Sequence, residues 1–343
     1  MTTLQDIADY LGLSRATVSR ALNGYPEVGQ KTRERVQEAA LKLNYQPNLN
    51  ARQLATGRSG IIAMMMLLEH NQIQDLNQLE FMTNLTLAIE KGGLDMVFHV
   101  VTQVDDLEAY RRLLNRGAVD GMILNRPHAD DPRIPLLQAA NMPFVMHGHS
   151  DAKVSYAYFD IDNKGAFAEA TELLLNLGHR NIAFINGPER MSYANQRLQG
   201  ALSQYKKLKI DAKTFMHIPT DLTEAAGYHW AMRALSGELN DKPTAFLCST
   251  TSQAAGVYRA AAQHSLVVGK DIAVIAHDDD LPHWQATQFE PPLTVTYAPI
   301  RDACEPLATI IIELIAGANP LKWQQMTQPQ LIVRESTQAL ASH

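Results

Sequence analysis

Two cysteines, Cys248 and Cys304, are the whole thiol inventory of this 343-residue chain. They lack zinc-type spacing and are too few for a disulfide framework. Apolar runs are short. The longest, at 61–68, is eight residues, against the ~20 needed to cross a bilayer. Polar Thr2, Thr3, Gln5 and Asp6 stand where a secretory signal would place a charged and then an apolar stretch. Low-complexity tracts and tandem repeats are also missing. These scarcities point to a soluble cytoplasmic protein with no membrane partner, no metal and no cofactor. The 46% hydrophobic content is enough for a sizeable core, and the 343-residue length suits two or three domains.

Charge is short too, and unevenly spread. Charged residues make up 19%, with a net charge of -6. Residues 1–60 nevertheless hold eight Lys/Arg against five Asp/Glu, a net of +3, and the remainder carries -9. A basic head on an acidic body is an asymmetry that the average hides.

The head reads as three short helices. Leu4, Ile7, Ala8 and Leu11 make one apolar face and Gly12 ends it. Ser14 caps a second helix with Val18, Ala21 and Leu22 inward. A third buries Val36, Ala39, Ala40 and Leu43. The short turn between the first two is the helix-turn-helix arrangement, whose second helix enters the major groove N-terminal end first. Arg15, Ala16, Ser19 and Arg20 then share the exposed side. Arg15 suits a guanine edge and Ala16 a thymine methyl. Ser19, Arg20 and Asn23 suit phosphates. An ordinary solvated basic face fits the same pattern. Residues 46–58 form a polar segment after Pro47, long enough for about two helical turns, which are marginal in isolation.

From residue 60 strands alternate with helices. The strands are expected at 60–67, 95–101, 119–125, 143–147, 181–186, 213–218, 244–248 and 271–275. The helices are expected at 76–91, 105–116, 133–140, 163–177, 192–208, 223–236 and 251–264. That rhythm means parallel sheets covered on both faces, and so many strands suit two lobes with a cleft between them. Pro291-Pro292 and Asn319-Pro320 are placed at lobe crossings. Ligands of such sheets bind beyond the strands' carboxyl ends. Those ends carry Asn125-Arg126, His147-Gly148-His149, Glu189-Arg190, Ser249-Thr250-Thr251 and His277-Asp278-Asp279-Asp280, a set suited to sugar hydroxyls. The bland readings are a solvated acidic run at 278–280, satisfied histidines at 147 and 149, a surface pair at Glu189-Arg190, and a helix start capped by Asp131 before Pro132.

The run T-L-Q-D-I-A-D-Y-L-G-L-S-R-A-T-V-S-R-A-L-N-G, continuing to K-T-R-E-R-V and L-N-Y-Q-P-N, closely resembles the N-terminus of the LacI/GalR family over residues 3–58. D-N-K-G-A at 162–166, L-G-H-R-N-I-A at 177–183 and R-L-Q-G at 197–200 resemble landmarks of its effector domain. The resemblance implies a small all-α helix-turn-helix DNA-binding domain (1–46) and a hinge helix (47–58). A two-lobed α/β periplasmic-binding-protein-like (type I) domain with parallel sheets follows (59–343). Its N-lobe is expected at about 59–160 plus 292–320, and its C-lobe at about 161–290 plus 321–338. It further implies a homodimeric transcriptional regulator, usually a repressor, of carbohydrate-utilisation genes. Such a protein would bind a near-palindromic operator and be controlled by a mono- or oligosaccharide, and would not be an enzyme.

Carried over by position, the operator-facing residues are Thr3, Ser14, Arg15, Ala16, Thr17, Ser19, Arg20, Asn23, Tyr45, Asn48, Ala51 and Leu54. Leu54 would be the minor-groove wedge. The effector-facing residues are Asn125, His147, Arg190, Tyr193, Arg197, Leu222, Thr250 and Asp278. Arg197 would hold effector hydroxyls, with Asp278 opposite. Three positions depart from the family. Gly29 stands where many members have a capping Ser. Leu222 stands where many have an aromatic plate. Thr250-Thr251 replace a common Asn-Asp. The rivals are a purine-responsive repressor, a periplasmic sugar receptor, and a sugar-processing enzyme using His277 and Asp278.

Overall fold

Helix α1 (Leu4–Leu11) begins at a capping box: Asp6 N donates to Thr3 Oγ1 at 3.3 Å, and Thr3 N donates back to the Asp6 carboxylate at 2.7 Å. Gly12, at φ 66°, ends it in a conformation that L side chains rarely adopt. Helix α2 (Arg15–Leu22) starts where Thr17 N donates to Ser14 Oγ. Helix α3 (Gln30–Lys42) starts at Gly29 with no side-chain cap. Ile7, Ala8, Val18, Ala21, Val28, Val36 and Ala39 close one small core among the three.

The computed structural model describes residues 2–22, 25–45, 57–67, 76–101, 107–150, 155–239 and 241–339. The chain divides into Met1–Ser59 and Gly60–His343. Most of the expected hinge helix at 47–58, with Asn48, Ala51 and Leu54, lies outside the described residues, as does Asn23.

The larger unit holds two six-stranded sheets. In the first, β1 (Ile61–Leu67), β2 (Asp95–Val101), β3 (Gly121–Leu124), β4 (Phe144–His147), β5 (Ala157–Ile161) and β11 (Gln324–Thr327) run in the order β11-β5-β4-β3-β1-β2, all parallel. The second contains β6 (Ile182–Asn186), β7 (Met216–Pro219), β8 (Ala245–Cys248), β9 (Ala273–Asp278), β10 (Thr294–Tyr297) and β12 (Gln330–Ile332). Its order is β12-β10-β9-β8-β6-β7, with only the β10–β12 pair antiparallel.

Strand alternation divides each core in two. Ile62 and Met64 of β1 face α4 (Leu76–Lys91) and α11 (Cys304–Ile315). Ala63 and Met65 face α5 (Leu107–Arg116) and α6 (Arg133–Ala139). In the second lobe Ile182 and Phe184 pack under α7 (Asn163–Asn176) and α8 (Ser192–Lys207). Ala183 and Ile185 pack under α9 (Glu224–Ser236) and α10 (Thr251–Gln263). Faces buried on both sides explain the near-continuous apolar strands. Among the described residues no helix is long and apolar enough to cross a membrane.

The lobe boundaries differ from those expected near the proline pairs. Strand β10 pairs with β9, so residues 294–297 belong to the second lobe; β11 pairs with β5, so 324–327 belong to the first; β12 returns to β10. The chain therefore crosses between β5 and α7, between β10 and α11, and between β11 and β12. Backbone pairing sets these crossings, and the short polar strand β11, Q-Q-M-T, carries no apolar pattern to announce it.

Helices α7 and α8 pack closely because position 200 lacks a side chain. A Cβ on Gly200 would lie 2.1 Å from the Lys164 carbonyl oxygen. Gly200→Ala is expected to destabilise the larger unit by about 1–3 kcal/mol, read as a lower urea midpoint. An unchanged midpoint would contradict this packing.

Candidate functional site

The head presents its expected face. Ser14, Arg15, Ala16 and Arg20 are exposed and Ser19 is half-buried. The hydroxyls of Thr3, Ser14 and Thr17 are engaged in the helix starts, Ser14 Oγ and Thr17 Oγ1 lying 2.8 Å apart. They fix how α2 is offered before any partner arrives. Tyr45 packs half-buried against the head core, and its phenol is raised by burial against the opposing charge of Arg15. Arg33 Nε donates to the Val28 carbonyl at 2.9 Å and holds the loop before α3.

In the body, the carboxyl ends of β3, β4, β6, β8 and β9 bring polar side chains together between the lobes. Arg197, on α8, is 6% exposed. Its Nε donates to Asn163 Oδ1 and its Nη1 to the Ser249 carbonyl, both at 2.8 Å. Phe167 and Tyr193 offer ring faces 4.8 and 4.9 Å from its guanidinium carbon. Both hydrogen bonds end on neutral acceptors, and Nη2 makes none among the described residues. Burial therefore lowers the pKa of Arg197, opposed by the charges of Tyr193, Asp279 and Asp160.

Of the acidic run, the charge that acts on Arg197 is that of Asp279. Burial works to raise Asp279, but His277 at 3.4 Å, Arg197 and His147 outweigh it and hold it below the ordinary range. Asp278, the last residue of β9, accepts from Asp280 N at 2.8 Å and feels Arg334. β9 runs to 278 rather than 275, so Asp279 is the first residue beyond the strand end. The acidic run is not simply solvated either: Asp278 is buried, and Asp280 pairs with Arg301 and Tyr297.

The other expected residues divide. His147 stacks on Phe81 with centroids 4.8 Å apart; burial lowers its pKa, against Asp160 and Asp279. Tyr193 is raised by burial, opposed chiefly by Arg197 and Arg126, with Arg190 also in range. The structure thus brings Arg126, Arg190, Tyr193, Arg197, His147 and Asp279 to one place. The half-buried Asn125 side chain makes no hydrogen bond among the described residues. Leu222, 37% exposed, leads into α9. Thr250 caps α10, accepting from Gln253 N at 3.3 Å. Asp131 caps the start of α6, its Oδ1 accepting from Arg133 N at 3.0 Å, and it also forms a buried ion pair with the Arg133 side chain, which donates to the carbonyls of Asn125 and Arg126. Among the described residues no cluster of His, Cys, Asp and Glu suits a metal ion.

Sequence reading missed Asp160, Asn163 and Gln196. Asp160 lies on β5, which is not among the strands expected from sequence. Asn163 and Gln196 sit inside or beside D-N-K-G-A and R-L-Q-G, and that adjacency was the available signal.

Asp278 is raised to about 6, first by burial and then by Asp279 and Asp280. An acid raised above its ordinary 3.8 contributes stability that is fully present below that value and lost as pH rises through about 6. Asp278→Asn keeps the acceptor for Asp280 N. It should match the wild type near pH 4 and be more stable at pH 8 by about 1–3 kcal/mol. Parallel stability curves across that range would contradict the assignment.

Comparison with known proteins agrees with this architecture. Residues 3–48 match the family described as bacterial regulatory proteins, lacI family, and residues 171–337 match the periplasmic binding protein-like domain. The chain is 39% identical to the HTH-type transcriptional regulator AglR of Rhizobium meliloti (strain 1021), over 97% of this chain and 94% of that protein. It is 32% identical to the HTH-type transcriptional regulator CelR of Thermobifida fusca, over 97% and 98%. Among solved structures, the Lac repressor dimer bound to operator and the anti-inducer ONPF superposes with a TM-score of 0.82 at 27% identity, covering 98% of this chain and 99% of that one. A CelR–cellobiose complex superposes at 0.69 and 27% identity, covering 98% and 100%. A basic helix-turn-helix head, two parallel-sheet lobes and end-to-end similarity to these regulators lead to one conclusion: the chain is a transcriptional regulator of the LacI family.

Proposed function

We propose that this regulator is a homodimeric repressor of carbohydrate-utilisation genes whose operator affinity is set by a neutral mono- or oligosaccharide in the interlobe cleft. The observation that carries this reading is the buried Arg197. Its guanidinium has five N–H donors in a fixed fork, and among the described residues two hydrogen bonds engage them. Nη2 and the Asp279 carboxylate can take a hydroxyl pair from opposite sides, one donating and one accepting. The half-buried Tyr193 and the exposed Leu222 supply apolar surface for a ring. The cellobiose-bound CelR structure supports a sugar as the ligand class.

At the other end of the chain, Arg15 and Ala16 read base edges while Arg20 contacts phosphate. Two heads on a two-fold axis would read two half-sites. Leu79 and Leu87, exposed on α4, and Val100, on edge strand β2, are apolar residues that a partner copy would cover. The sugar acts by a coupling free energy, typically ~1–3 kcal/mol, between cleft and operator.

Three outcomes follow. Arg15→Ala should cost about 1–3 kcal/mol of operator affinity and relax selectivity at one base pair. Arg20→Ala should weaken all sequences alike and reduce the salt slope by about 1 per head. Arg197→Met should keep operator binding while losing the response to a panel of neutral disaccharides that includes cellobiose. Fluorescence anisotropy on operator DNA reads all three. An Arg197→Met protein that responds like the wild type would overturn the effector reading.

A further inference from the structure

The polar groups around Arg197 form one connected chain, and it crosses the lobe boundary. Asn163, which accepts from Arg197 Nε, turns its own amide towards Asp160 Oδ1 at 3.4 Å and the Ile161 carbonyl at 3.3 Å. Asp160 belongs to β5 of the first lobe. Its Oδ2 accepts from the backbone N of His149 at 3.0 Å and lies 2.6 Å from His149 Nδ1. An ionised carboxylate only accepts, so Nδ1 carries a proton, and Nε2 accepts where it meets an amide N–H. Gln196 Nε2, on α8 of the second lobe, donates to it at 3.0 Å and also to Ser192 Oγ at 3.1 Å. Gln196 and Arg197 are consecutive. The chain therefore leaves α8, passes through the first lobe and returns to the same turn of α8.

Its members have little room to rearrange singly. Asn163, Asp160, Arg197 and Gln196 are 3%, 6%, 6% and 7% exposed. A bond broken at that depth leaves a desolvated polar group, which costs more than the bond contributed. The His149 ring is further held against Tyr158, with centroids 5.4 Å apart. Beside it the lobes are joined by backbone: Ser192 N donates to the Pro127 carbonyl at 2.9 Å, and His128 bridges Met191. A network of this kind shifts as a unit between discrete arrangements.

We propose that His149, Asp160, Asn163 and Gln196 are positioning residues that tie the guanidinium of Arg197 to the angle between the lobes. A ligand that moves Arg197 then changes the lobe angle through hydrogen bonds already in place. Only this last step rests on the cleft being the effector site. The tie itself is a property of the ligand-free protein.

Electron–electron distance measurements on the full chain without ligand test it. Spin labels go on Glu108→Cys in the first lobe and Lys206→Cys in the second, both exposed, while Cys248 and Cys304 are buried. Gln196→Met and His149→Phe cut the chain between the lobes, and Arg197→Met cuts it at the ligand end. Each is expected to shift or broaden the interlobe distance beyond the wild-type width. The Gln196→Met/His149→Phe pair is expected to do no more than either alone. A wild-type distribution in Arg197→Met overturns the proposal even where Gln196→Met moves it, because the cross-lobe bond would then be local. Additive effects in the double variant overturn it as well. Operator binding by the wild type with and without cellobiose and related disaccharides runs in parallel. A sugar response without the Arg197→Met shift sinks the tie and leaves the effector reading standing; the shift without any sugar response does the reverse.

Discussion

The body is organised around one buried positive charge that no carboxylate directly neutralises among the described residues. A guanidinium removed from water is costly unless its donors are met. Arg197 is met by an amide oxygen, a backbone carbonyl and two aromatic faces, with Asp279 and Asp160 acting on it without hydrogen bonding to it. Much of the surrounding architecture serves this placement. Gly200 lets α8 lie against α7, which sets Asn163 beside Arg197. The end of β8 offers the Ser249 carbonyl, and Gln253 fixes that turn by accepting from Ser249 N. The end of β9, in the same lobe, places His277 and Asp279 near it.

A charge supported in this way is stable but incomplete. Neutral hydroxyls can add acceptors to Arg197 and donors to Asp279 without bringing a new charge into the cleft. The first lobe contributes its share through the buried Asp131–Arg133 pair, which grips the carbonyls of Asn125 and Arg126. That loop also carries Pro127 and His128, which meet the second lobe at Ser192 and Met191. The residues gathered around Arg197 and the residues that join the lobes thus lie on the same short segments. Displacement in the cleft and displacement between the lobes are hard to separate mechanically.

Much of this was legible in the sequence. The head's apolar spacing, its Ser14 start and its Gly12 stop follow from local rules and recur in the structure. The long helices and central strands were legible because strands buried on both faces must be continuously apolar. What failed was short, polar or decided by distant pairing. Strand β11, Q-Q-M-T, gains its identity from β5, more than 160 residues away. Helix α11 was missed although C-E-P-L-A-T-I-I-I-E-L-I is strongly apolar, since Pro306 falls inside its first turn, where proline is tolerated. The end of β9 lies three residues beyond its expected limit, because a strand end cannot be fixed that finely from pattern. Gln196 and Asp160 were invisible as a pair, being joined only through His149 on another element.

The central claim is that the cleft of Arg197 and the operator-binding head are thermodynamically coupled. Linkage makes that claim reciprocal. Titration calorimetry of cellobiose and related disaccharides into the free protein and into the protein saturated with operator DNA measures it from the ligand side. Operator is expected to change the sugar affinity by the same factor by which sugar changes the operator affinity. Equal sugar affinity in the two titrations would contradict it.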